Sequence, residues 1–316
     1  MLATAWSRSF GLRVPIVNAP MGGVAGGRLA AAVAAAGGLG MVGMGSTATR
    51  ATLAAQLQHV TGRFGIGLVD WVMRKEVGLL QDALAARPAL LSVSFGDDLS
   101  WVEPARDAGI TTATQVYDSL GARRAAEAGV DVLVARGAEG GGHGENRLGT
   151  LPLLDAVLDA VQLPVLAGGG IASPRSLAAV LAAGASGAWV GTRLAACPEA
   201  LTGEESRRKL IAARETDTRT TRVFDVAAGL PWPARFPSRV LANDFVERWT
   251  GNEEALAADH GARDDLAASV ATNDMSVAPV DAGQGVGMIR DDAPVAEVIE
   301  QMCAGASSLL RQWCDG

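Results

Sequence analysis

The residue with the plainest capacity for chemistry in this chain is His143. It is set in the run Arg136-Gly137-Ala138-Glu139-Gly140-Gly141-Gly142-His143-Gly144. An imidazole titrates near neutrality, so it can move a proton or steady a developing anion. The run follows an apolar strand, Val130-Asp131-Val132-Leu133-Val134-Ala135, so His143 falls just past that strand's C-terminal end. The other two histidines have plainer surroundings: His59 late in a surface helix, His260 in a polar segment. His143 reads either as a catalytic group or as an incidental loop residue, and its place at a strand's C-terminal end favours catalysis. Together with Glu139 and Glu145 it would bind a metal only if three ligands converged from one flexible loop without a second histidine, and no metal site is expected.

Two more glycine clusters follow. Pro164-Val165-Leu166-Ala167 ends in Gly168-Gly169-Gly170-Ile171, and Gly187-Ala188-Trp189-Val190 ends in Gly191-Thr192-Arg193. Glycine lets a backbone approach a ligand closely, and free N–H groups at a helix start attract anions. One such turn alone is only a tight connection. Two in succession, after the last two strands of a barrel, are a phosphate site. Met21 and Gly22 end the first strand and point at the same face. Gln115 ends the fifth; it reads equally as a hydrogen-bonding group for a bound ring or as a capping, water-binding amide.

These residues need a scaffold that brings strand ends together. The strands read as Val14–Ala19, Leu39–Val42, Phe64–Val69, Ala89–Phe95, Gly109–Gln115, Val130–Ala135, Pro164–Ala167 and Gly187–Val190. Helices between them are expected over Arg28–Ala36, Thr49–Val60, Arg74–Ala86, Leu99–Ala108 and Ser119–Ala128. A strand plus a helix recurs about every 20–25 residues. Eight strands of this kind close a (β/α)8 TIM barrel, whose ligands bind at the C-terminal face. A doubly wound open sheet competes, but no GxGxxG follows the first strand.

After Pro198 the rhythm breaks. Residues 1–202 and 277–316 are read as the barrel, and 203–276 as an excursion over its mouth. That excursion holds a charged helix over Glu204–Arg214, a threonine-rich stretch over Glu215–Arg222, the loop signals Leu230-Pro231-Trp232-Pro233 and Phe236-Pro237, and a helix over Asn243–Thr250. Asn252–Asp274 is polar and acidic, and Pro294–Trp313 is a terminal amphipathic helix that returns to the barrel wall. The net charge of -7 and the absence of a basic patch argue against nucleic acid. Cys197, Cys303 and Cys314 are odd in number with no CxxC spacing, which suits a reduced, cytoplasmic protein. No secretory leader or membrane span is expected.

Taken together, Ala19-Pro20-Met21-Gly22, the Ala135–His143 run, Ala167-Gly168-Gly169-Gly170-Ile171 and Gly191-Thr192-Arg193 resemble the nitronate monooxygenases, formerly the 2-nitropropane dioxygenases. Phe64-Gly65-Ile66, Ser94-Phe95-Gly96, Thr221-Arg222-Val223-Phe224 and Gly283-Gln284-Gly285-Val286-Gly287-Met288-Ile289 extend the similarity over nearly the whole chain. The resemblance implies an FMN-dependent barrel enzyme that oxidises alkyl nitronates, or nitroalkanes, with O2 to a carbonyl compound and nitrite, beginning with one electron passing from nitronate to FMN. It implies that Gly168, Gly169, Gly170, Gly191 and Thr192 hold the FMN phosphate. Pro20, Met21 and Gly22 would lie along the ring, with Ala19, Gln115, Gly141 and Gly142 also in the cofactor site. His143 would take a proton from a nitroalkane or hold the nitro group of a nitronate. The partners are then the small-molecule substrate and O2, and the assembly a monomer or homodimer.

The chain also departs from that family. Arg136 stands where Gln is usual, Gly140 where Ala is usual, and Gly67 where an asparagine that helps hold the flavin is usual. Arg136 puts a permanent charge by the loop, suited to an anionic substrate or to pairing with Glu139. Two other functions fit the same motifs: an FMN- and NAD(P)H-dependent reductase of the enoyl-acyl-carrier-protein reductase type, and a non-catalytic flavin- or phosphate-binding protein.

Overall fold

The computed structural model describes residues 2–312. Eight strands lie parallel in one sheet: β1 (Ile16–Asn18), β2 (Gly40–Met44), β3 (Phe64–Val69), β4 (Leu90–Ser94), β5 (Thr111–Val116), β6 (Val132–Arg136), and, beyond a two-residue strand β7 (Gly142–His143), β8 (Val165–Gly168) and β9 (Gly187–Val190). Their order, β1-β9-β8-β6-β5-β4-β3-β2, is sequential apart from β1, which pairs with the last strand. The ring closes between β1 and β2 through a bridge from Val17 to Leu39. The side chain of the fully buried Asn18 acts there as a substitute strand. Its Oδ1 accepts from the Met41 N–H at 2.7 Å and its Nδ2 donates to the Met41 carbonyl at 2.9 Å. The expected eight-stranded TIM barrel is present.

Strand residues alternate between two cores, as the two-residue period of a strand requires. Ile16, Val42, Ile66, Leu91, Leu133 and Val165 pack outward under the helices. Val17, Met41, Leu90, Val132, Val134 and Leu166 fill the interior, and Trp6 and Phe10 join them at its base. Large and small residues interlock inside: a Cβ on Gly65 would lie 2.2 Å from the Met41 sulfur. The helix expected over Arg74–Ala86 is two, Asp70–Lys75 and Leu79–Ala85. Gly78 divides them at φ +93°, a left-handed conformation that an α-helix does not contain.

The segment after β9 has its own structure. Helix Glu204–Ala212 is followed by β10 (Thr218–Thr221), helix Val223–Ala228, β11 (Ser238–Leu241) and helix Asp244–Trp249, capped by Asn243. The polar stretch beyond holds helices Glu253–Ala258 and His260–Thr272. Val223, Phe224, Phe245, Val246, Trp249, Leu256 and Leu266 form a separate small core. β10, β11 and β7 make a three-stranded antiparallel sheet, with Ser238 opposite His143. The segment is thereby hydrogen-bonded to the loop that carries the histidine. Helix Val295–Gln312 then packs against helices Pro174–Ala182 and Gly27–Ala35. Trp313 and Cys314 lie outside the described residues.

Candidate active site

The C-terminal ends of the strands open into a cleft with about 1320 Å³ of empty space, part of it open to solvent. Its phosphate-like end is built from the β8 and β9 turns. Gly169 has φ +112° and Gly170 φ +68°, and a Cβ on Gly169 would lie 2.8 Å from the Thr150 hydroxyl and 3.0 Å from the Gly137 carbonyl. Only glycine combines that backbone with that clearance. Gly168 and Gly191 line the same end. Thr192 opens a short helix, and its hydroxyl accepts from the Gly283 N–H at 3.0 Å. Gly285 lies so close over Gly170 that a Cβ would sit 2.9 Å from its carbonyl oxygen. The Gly283–Gly285 turn therefore walls this end of the cleft.

The long wall is Ala19, Pro20, Met21 and Gly22. The Ala19 N–H bonds the Val190 carbonyl at 2.8 Å, which fixes this segment to β9. Gly22 abuts Gly45 backbone to backbone; a Cβ on Gly22 would be 2.4 Å from the Gly45 Cα. Gly67 has a similar reason. A Cβ there would fall 2.2 Å from the Pro20 ring, so the space an asparagine would need is taken by proline. At the far side the Gln115 Oε1 accepts from the Tyr117 hydroxyl at 3.1 Å, which leaves its amide nitrogen as the donor for the cleft. The donor set fits a flavin mononucleotide: a glycine cradle for a phosphate, a flat backbone wall and a free amide for a ring.

His143 faces this wall across the cleft. Its Nε2 lies 3.0 Å from both oxygens of Asp225, whose side chain is only 6% exposed. With Nε2–H donated to that carboxylate, Nδ1 is the nitrogen with the free lone pair. The ring is also stacked on Trp232, centroids 3.5 Å apart and planes 6° from parallel. Trp232 in turn donates from Nε1 to the Ser46 hydroxyl at 3.0 Å and meets Trp71 and Phe95 edge-on. Phe95 holds φ +72°, a strained setting for a bulky residue that turns its ring toward this cluster.

Arg136 lines the cleft under the glycine loop and does not pair with Glu139. It is buried, and its guanidinium donates to the carbonyls of Gly140, Gly141 and Gly142 at 2.9, 3.0 and 2.9 Å. It braces the glycine loop from below, and desolvation there lowers its pKa. Glu139 does not pair with it. That carboxylate caps helix Thr150–Ala160, accepting from the Thr150 N–H and hydroxyl at 2.9 Å each. Glu145 pairs with Arg147 at 3.1 Å. Thus Glu139, His143 and Glu145 do not converge, and no group of three metal-binding side chains exists among the described residues. Gly140 meets the Arg136 side chain so closely that a Cβ would lie 2.7 Å from its Nε, so these two departures from the family go together.

Every cleft residue expected from the sequence, from Ala19 to Thr192, lines this one cavity. Sequence reasoning missed Asp225, Trp232, Ser46, Asp281, Gly283 and Gly285. For Asp225 the signal was slight: it directly follows Thr221-Arg222-Val223-Phe224, whose family likeness was visible. The turn at Gly283 was equally visible as a motif, without any indication of where it packs.

A (β/α)8 barrel with a glycine cradle, a flat wall and a carboxylate-held histidine in one cleft defines a cofactor-dependent enzyme. The sequence matches the family described as NMO, nitronate monooxygenase, over residues 4–69 and 70–305, and the chain belongs to that family of flavin oxidoreductases. It is 32% identical over 273 residues, 81% of this chain and 71% of the other, to a (3aS,4S,5R,7aS)-5-hydroxy-7a-methyl-1-oxo-octahydro-1H-indene-4-carboxyl-CoA dehydrogenase of Rhodococcus jostii. A nitronate monooxygenase of Paraburkholderia phytofirmans is 28% identical, with 92% of each chain covered. The solved nitroalkane oxidase of Streptomyces ansochromogenes superposes with a TM-score of 0.81 at 27% identity, covering 98% of this chain and 99% of that one. No described helix is long and apolar enough to cross a membrane.

Proposed function

We propose that this protein is an FMN-dependent monooxygenase that oxidises alkyl nitronates, and nitroalkanes, with O2 to a carbonyl compound and nitrite. The observation that carries the reading is the imidazole of His143, held by Asp225 on one side of a cleft whose other side is the glycine cradle. The family membership and the likeness to a nitroalkane oxidase support the substrate class. Gly168, Gly169, Gly170, Gly191 and Thr192 hold the FMN phosphate. Ala19–Gly22, Gln115, Gly141 and Gly142 bound the rest of the cofactor. Bound FMN supplies the electron acceptor and the reaction with O2.

The protein's own part is positioning and proton transfer. Asp225 fixes the tautomer of His143, so Nδ1 is the base that takes the α-proton of a neutral nitroalkane, and the same group, once protonated, holds a nitro oxygen. Trp232 keeps the ring in one plane and shields it from water. Residues 203–276 are the substrate-side unit of this enzyme, since Asp225, Trp232 and Ser238 all come from it. The protein works in the cytoplasm, as a monomer or homodimer.

A second reading is an FMN- and NAD(P)H-dependent reductase or dehydrogenase acting on an acyl thioester. The Rhodococcus jostii relative favours it, and a carboxylate-held histidine serves proton transfer to carbon or oxygen equally well. The two readings separate in one anaerobic experiment on purified protein reconstituted with FMN. A rapid change of the flavin absorbance to that of the one-electron-reduced form on adding propionate 3-nitronate, with inertness toward NADH and NADPH, is the expected result. Bleaching by either nicotinamide and none by the nitronate would replace the first reading with the second.

A further inference from the structure

Besides His143, the ionisable side chains lining the cleft are Arg136 and Asp281, and they are unlike. Asp281 is exposed, so water and salt screen its charge. Arg136 is buried. Val132 and Val134 of β6 face the barrel interior, and the two-residue period of the strand puts Arg136 on the same inward side, at the top of that column. In register it stands opposite Gly168, the first glycine of the cradle. On its other side is β5, whose Gln115 turns an amide to the cleft. Arg136 thus stands between the phosphate end and the ring end of the site.

No described carboxylate forms an ion pair with it. Glu139 caps helix Thr150–Ala160, Glu145 pairs with Arg147, and Asp225 holds His143 from behind without lining the cleft. The Asp281 Oδ1 is bonded to the Ser238 hydroxyl. The Tyr117 hydroxyl stays neutral, because burial raises its pKa. Arg239, on the other side of the glycine loop, donates from Nε to the Ala138 carbonyl and adds a second cation. The guanidinium of Arg136 meets only backbone carbonyls, those of Gly137, Gly140, Gly141 and Gly142. Bracing carbonyls takes N–H donors and no charge; the amide of a glutamine would supply them. An unpaired buried charge is costly, so this one calls for a use beyond the brace.

We propose that Arg136 sets the reduction potential of the bound flavin. The inference rests on the FMN part of the reading above. An oxidised flavin ring is neutral, and a ring that has taken two electrons and one proton carries a negative charge. A fixed cation in the floor of the cleft, little screened by solvent, stabilises the second form and leaves the first nearly unaffected. The potential is therefore higher than the same cleft would give with a neutral residue at position 136. Arg136 acts here at a distance, through its charge, as a tuning residue rather than a catalytic one. The same field favours an anionic substrate, so it works with the proposed chemistry: it draws the nitronate in and makes the flavin a stronger acceptor for its electron.

The test is an anaerobic reductive titration of the FMN-loaded protein against a reference dye, as wild type and as Arg136→Gln. The substitution should lower the two-electron potential by at least about 30 mV, a tenfold change in the equilibrium between oxidised and reduced flavin. By linkage, the variant should bind oxidised FMN within about threefold of wild type and reduced FMN at least tenfold more weakly than that. A role in structure alone behaves differently: a loosened loop weakens both forms alike and leaves the potential where it was. Because Gly140 has no room for a Cβ beside Arg136, Arg136→Gln is also made together with Gly140→Ala, which refills the space the guanidinium leaves. The double variant should show the same fall. An unchanged or raised potential in the folded variants would overturn the inference and leave Arg136 a brace only. The readout needs no substrate. A wild type inert toward every nitronate would remove the proposed activity while the potentials still decided the role of Arg136; a protein that took up no FMN would remove both.

Discussion

At the scale of single residues, the site turns on how His143 is held. Its Nε2 is bound to a buried carboxylate and its face is covered by an indole, so the imidazole has one free nitrogen and one orientation. General acid–base groups of this kind contribute roughly 10²–10⁴-fold to rate. His143→Ala should therefore lower kcat for a neutral nitroalkane by about 10²-fold or more while the flavin spectrum stays that of wild type. Asp225→Asn keeps the shape but can present its amide N–H to Nε2 and so reverse the tautomer. It should lose a substantial part of the same factor in kcat, with little change in KM. Steady-state kinetics on flavin-replete protein checks both; an unaltered kcat in His143→Ala would remove the histidine from the chemistry. His143 and the glycines were legible in the sequence because a histidine among glycines after an apolar strand has few structural reasons to be there. Asp225, Trp232 and Asp281 were not. Each is an ordinary residue type in a loop or a short helix, and what makes it part of the site is proximity to His143 across some 80 to 140 residues of chain, which no local pattern records.

At the scale of elements, the barrel was legible because strand and helix periodicities are local, while its closure was not. A three-residue β1 is too short to hold a seam by backbone pairing alone, and the Asn18 amide supplies the missing ladder to Met41. Replacing it with leucine would leave a buried N–H and a buried C=O without partners. The expected cost of Asn18→Leu is about 2–4 kcal/mol, read as a lowered urea midpoint with an unchanged m-value. The same locality explains the split of the helix at Gly78 and the strand found at Thr218–Thr221. A glycine in a helical pattern and a threonine-rich stretch can each go either way, and tertiary pairing, here with β11, decides.

At the scale of the whole molecule, stability and cofactor binding are linked. The cleft is lined by turns from six of the eight barrel strands and from the segment beyond them, so a ligand that fills it ties together parts that otherwise meet only at their edges. A ligand at 100 times its dissociation constant stabilises the folded state by about 2.7 kcal/mol. FMN at that excess should raise the melting temperature by several degrees, on a scale of about 2–4 °C per kcal/mol for domains of around 200 residues. Riboflavin, without the phosphate, should give a smaller shift if the glycine cradle carries the anion. Equal shifts would move the phosphate away from Gly168–Gly170 and Thr192.

The pairing of β7 with β11 also has a consequence for how the molecule is made. A chain leaves the ribosome N-terminal end first, and domains fold as they emerge. All eight barrel strands and both glycine turns are available once Thr192 is out, but the partner strand of His143, its carboxylate and its covering indole are still to be synthesised. Competence arrives late, with the strand at Ser238–Leu241, and helix Val295–Gln312, whose Val295, Val298, Ile299 and Met302 belong to the barrel's outer core, arrives later still, so a product truncated after Thr192 would lack both the held histidine and part of the barrel's own packing.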